Sequence, residues 1–72
     1  MSWQPSPEAH AQALRFVTRL TAEQRTDWEE RAAIMEYDGG LSREAAEVLA
    51  AREIRSRALD RMQQLGQQME AE

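Results

Sequence analysis

The sequence predicts an all-α protein: a helical hairpin or three-helix unit with a long C-terminal helix. Two observations carry this. Apolar residues recur at three- and four-residue steps, with no alternating strand pattern, and breakers are confined to Pro5, Pro7, a Gly39-Gly40 pair and Gly66. Strong helix-capping signatures also stand where the periodic segments begin.

The first helix opens at Ser6, whose hydroxyl suits an N-cap, with Pro7 at the first helical position and Glu8 near the positive end of the dipole. Leu14, Val17 and Leu20, with Ala13 and Phe16 beside them, form its apolar stripe, and the helix is expected to end near Leu20. Thr21-Ala22-Glu23-Gln24 fits a capping box and starts the second helix. This helix stops at Asp38-Gly39-Gly40, where one glycine is expected at positive φ as the structural turn.

At about 100° per residue, Trp28, Ala32 and Met35 share one face of helix two, with Tyr37 and Ala33 opposite and Ile34 between. Such a helix suits the middle layer of a three-helix unit, or it has one face for the core and another for a partner. Trp28 and Met35 are read as core.

Ser42 caps the third helix, with Glu44 in its first turn and no breaker before Gly66. Its length is expected to be about 25 residues, or roughly 37 Å. Ala45, Ala46, Val48 and Leu49 lie on one side. Ala51, Ile54, Ala58, Met62, Leu65 and Met69 lie on nearly the other, with the 3-4 spacing of a short coiled-coil seam. Ile54, Ala58, Met62, Leu65 and Met69 are therefore the candidate partner-binding residues. A second copy in antiparallel pairing is the expected occupant, because one small core leaves little stability to spare and a wet seam would expose an apolar patch.

The 72 residues form a single domain, 1–72, with residues 1–5 expected to be flexible and 67–72 to be frayed. The chain has no cysteine, no apolar run near the ~20 residues of a membrane span, and none of the charged and apolar regions of a signal peptide at its start. A soluble, cytoplasmic protein is expected. Net charge is −4, and all nine basic residues are arginine. That charge disfavours nonspecific nucleic-acid binding by the whole surface, while GC-rich base composition accounts for the arginine preference.

Catalysis needs a nucleophile beside a base, a carboxylate pair or a phosphate cradle converging on one point, and none is visible. His10, the only histidine, is read as a solvent-facing residue. Glu29, Glu30, Glu36 and Asp38 are read as a solvated acidic face rather than a metal site, since His and Cys ligands and calcium-loop spacing are missing. No enzyme activity, metal or cofactor is expected. The helix pair around Gly39 and Gly40 superficially resembles a helix-turn-helix, yet Ser42, Arg43, Glu44 and Glu47 would then point two carboxylates at phosphates. Arg52, Arg55, Arg57 and Arg61 form a basic stretch offset by Glu53 and Asp60, with Glu53 and Arg57 spaced to pair. A dimer using these four arginines is the alternative, nucleic-acid-binding reading.

The stretch Trp28-Glu29-Glu30-Arg31-Ala32-Ala33-Ile34-Met35-Glu36-Tyr37-Asp38-Gly39-Gly40-Leu41-Ser42-Arg43-Glu44-Ala45-Ala46-Glu47 resembles a block that recurs in proteins of prophages and integrative or conjugative elements, often near replication and primase-type functions. The resemblance implies an accessory or regulatory factor of a bacterial mobile element, acting by contact with a protein partner such as host defence or replication machinery. It transfers no catalytic residue. The turn also resembles that of ubiquitin-associated-type three-helix modules, but Asp38-Gly39-Gly40-Leu41 replaces their Met-Gly-Phe loop, which argues against ubiquitin-like binding.

Overall fold

In a computed structural model, residues 3–70 are described, with side chains described as far as residue 63. Three helices make up the fold: α1 (Pro7–Val17), α2 (Ala22–Tyr37) and α3 (Arg43–Glu70), with no strand among the described residues. None is long and apolar enough to cross a membrane.

The caps form where the sequence places them. Ser6 is extended (φ −67°, ψ 155°) and its Oγ accepts the Ala9 amide at 3.1 Å. Gln24 N–H donates to Thr21 Oγ1 at 3.2 Å, while Thr21 N–H donates to Gln24 Oε1 at 3.0 Å. Ser42 Oγ accepts the Ala45 amide at 3.1 Å and donates to Gln4 Oε1 at 3.2 Å.

Two helix ends differ from expectation. α1 stops at Val17, short of Leu20, because Thr21 must be extended (φ −66°, ψ 166°) to cap α2. The intervening residues tighten into three-residue bonds: Arg19 N–H to Phe16 O and Leu20 N–H to Val17 O, both 3.1 Å. α3 runs 28 residues through Gly66 to Glu70, into the stretch expected to fray. One interior glycine costs a helix only about 1 kcal/mol, too little to break it.

The α2–α3 turn uses its two glycines differently. Gly40 has φ +68°, the left-handed conformation a side chain disfavours. At Gly39 a β-carbon would stand 2.6 Å from Met35 O, so the backbone approaches too closely for any other residue.

α3 is the central element, with α1 and α2 each packed on it. This overturns the middle-layer expectation for α2. The reason lies in side-chain size: Ala45, Ala46, Ala50 and Ala51 are all buried, and small residues let two helices approach adjacent faces of one. Val17, Trp28, Ala50, Ala51 and Ile54 form the core cluster, supported by Ala13, Phe16, Leu20, Ala32 and Met35. Leu14, expected in the α1 stripe, is exposed instead.

Candidate interaction surface

The seam read along α3 is divided by tertiary packing. Ala51 and Ile54 belong to the core, Ile54 being 6% exposed, so Ile54 is not a free partner-binding residue. The expectation that the seam lies on a separate face fails here because α1 and α2 together wrap more of α3 than one helix would. Farther along, Ala58 is exposed, Leu59 is 51% exposed and Met62 69%. Leu65 and Met69 lie outside the described side chains. The apolar stripe therefore starts inside the core and continues into solvent.

Beside this exit lies an open cleft between the start of α2 and the middle of α3. Ile54, Ala58 and Met62 make its floor, Glu23 and Asp27 one lip, and Arg57 and Arg61 the other.

The charges around it are largely neutralised within the fold. Arg57 donates to Glu53 Oε1 at 3.1 Å, the i,i+4 pair read from the spacing, and lies 3.7 Å from Asp27 Oδ2. Arg31 reaches the same Glu53 oxygen at 3.1 Å, so charges of alternating sign stitch α2 to α3. Each exposed pair contributes only about 0–1 kcal/mol, and their larger effect is to fix register. Arg52 lies over the Trp3 ring, 5.4 Å from its centroid, a cation–π arrangement. Of the four arginines proposed for nucleic acid, two are thus engaged internally, while Arg55 and Arg61 line grooves on either side of α3. The start of α3 also departs from a recognition helix, since Ala45 and Ala46 are buried in the fold.

His10 is not the free surface residue expected. Its Nε2 lies 2.9 Å from Glu47 Oε1, both groups are partly buried, and the pair ties α1 to α3. Glu47 also engages α2, because its backbone oxygen accepts the Trp28 Nε1–H at 3.0 Å. One residue thus joins all three helices, where the sequence reading places Glu47 only as a groove-facing carboxylate. The available signal was spacing: His10, Ala13 and Val17 stand at i, i+3 and i+7, which places the imidazole on the core face. Among the described residues no three His, Asp or Glu side chains converge as a metal site.

Compared with known proteins, the chain matches no family model, and no curated protein or solved structure is similar to it at a significant level. The functional reading therefore rests on the geometry of this fold. Within it, the block Trp28–Glu47 forms a closed hairpin, its first residue hydrogen-bonded to its last.

Proposed function

We propose that this chain is a small protein-interaction module, without catalytic chemistry of its own, that works by docking the exposed stripe of α3 against a second protein surface. The observation that carries this reading is the continuation of the core stripe into solvent at Ala58 and Met62, with exposed Leu59 beside it. Leaving that stripe wet forgoes apolar burial, and a small single core gains most from covering it. A second copy of the chain is the first occupant, giving a self-associating protein.

The resemblance of the Trp28–Glu47 block supports a role as an accessory factor of a bacterial mobile element, with a host defence or replication protein as a further partner.

The test is mass in solution. Leu59→Glu with Met62→Glu changes two exposed positions, so the helical circular dichroism should be kept while concentration-dependent association measured by light scattering is lost. A parent that stays monomeric at high micromolar concentration would remove the self-association reading.

A further inference from the structure

We propose that the surface covering α3 is the outer face of α2 in a second copy, in a head-to-tail contact with parallel helices. This rests on the reading that the α3 stripe docks on protein, and it names the receiving surface.

Packing α2 on α3 leaves uncovered the side of α2 opposite Trp28. That side carries Asp27, Glu30, Ile34 and Tyr37, all exposed, Ile34 at 56% and Tyr37 at 81%. Their steps are 3, 4 and 3, so they form one stripe, acidic in its first half and apolar in its second. Arg31 is turned away from it toward Glu53.

On α3, Arg52, Arg55, Leu59 and Met62 are also exposed and also spaced 3, 4 and 3, with a basic first half and an apolar second half. The two stripes match position for position. Laid parallel, Arg55 meets Glu30, Leu59 meets Ile34 and Met62 meets Tyr37 in one register, and Arg52 falls opposite Asp27, although Arg52 already lies over Trp3 and Asp27 beside Arg57. The 3-4 spacing suits a shallow helix crossing of about 20°.

Other pairings of these stripes conflict. Two α3 stripes in parallel oppose arginine to arginine, and in antiparallel they lay arginine over leucine and methionine. Two α2 stripes bring carboxylates together or set them on Ile34 and Tyr37. Like charges at a contact and unpaired buried charges are both costly, so each stripe suits the other better than itself. Within one chain the ends of the α2 stripe border its own α3, Asp27 beside Arg57 and Tyr37 near Arg43, while Glu30 and Ile34 between them are exposed, so the parallel contact needs a second copy. Asp27 already neighbours Arg57, and the docked Arg52 would share it.

Such a contact is heterologous. Each copy offers one α3 stripe and one α2 face, so assembly does not stop at two unless a ring closes.

Complementation tests this directly. Tyr37→Glu spoils the α2 face and Met62→Glu spoils the α3 stripe, both at exposed positions where circular dichroism should match the parent. In sedimentation velocity the parent is expected to grow beyond a dimer with concentration. Each variant alone should stay monomeric, and an equimolar mixture should form a heterodimer and nothing larger, since one intact half of each kind remains. Separately, Arg55→Glu should weaken association and Glu30→Arg in the same chain should restore it. If Tyr37→Glu associates like the parent while Met62→Glu does not, the head-to-tail contact is wrong although α3 still docks on protein. A mixture that stays monomeric also overturns it, and a monomeric parent overturns both this contact and self-association.

Discussion

Replacing Trp28 tests the packing from which every surface argument follows. The residue is buried, 7% exposed, in the cluster that joins α2 to α3, and its indole N–H is held by Glu47 O. A buried tryptophan removes about 150–250 Å² from water, worth roughly 4–6 kcal/mol at about 25 cal/mol per Å² as an upper figure. Truncation of such a side chain to alanine costs about 3–5 kcal/mol. A 72-residue chain has about 4–11 kcal/mol in all at ~0.05–0.15 kcal/mol per residue, so Trp28→Ala should leave a marginal or largely unfolded protein.

Trp28→Phe separates the contributions. It keeps an aromatic ring but loses the hydrogen bond and part of the volume. Glu47 O remains within the α3 ladder and is not orphaned, so a cost of about 2 kcal/mol is expected. For a domain of this size that lowers Tm by roughly 8–16 °C. Urea and thermal unfolding followed by circular dichroism give both values. An alanine variant within about 1 kcal/mol of the parent would mean that Trp28 does not anchor α2 on α3, and the outer face of α2 would lose its definition.

The remaining predictions concern local structure. Gly40→Ala should destabilise by about 1 kcal/mol or more because its φ is positive, and Gly39→Ala should do so because its β-carbon meets Met35 O. Two alanine variants that both melt like the parent would refute the turn. Thr21→Ala removes one side of the capping box and should cost about 1 kcal/mol, with Thr21→Ser recovering most of it; equal melting of all three proteins would count against the cap.

What the sequence determined by itself was local. Ser6, the Thr21–Gln24 box and Ser42 start helices because each places a hydroxyl within reach of amides only two or three residues away. Gly39 and Gly40 end α2 because their backbone demands are set within one turn, and Glu53 pairs with Arg57 because four residues make one helical step. Helical periodicity likewise marked Trp28 and Met35 as inward-facing.

The tertiary structure decided which stripe is covered, and by what. Ile54 was assigned to a partner and is core, while Leu14 was assigned to the core and is exposed, because a period shows that residues share a face but not which helix lies against it. The position of α3 as the central element follows from four buried alanines, whose smallness carries no weight in a hydrophobic stripe but sets how closely two helices can approach. The links from His10 and Trp28 to Glu47 join residues 37 and 19 positions apart, a distance at which no local rule relates one side chain to another. Ala58 and Met62 were already read as an uncovered seam, but that the exposed stretch begins only after Ile54 and has Leu59 beside it was decided once α1 and α2 had been placed, since exposure is a property of what packs nearby rather than of the residue itself.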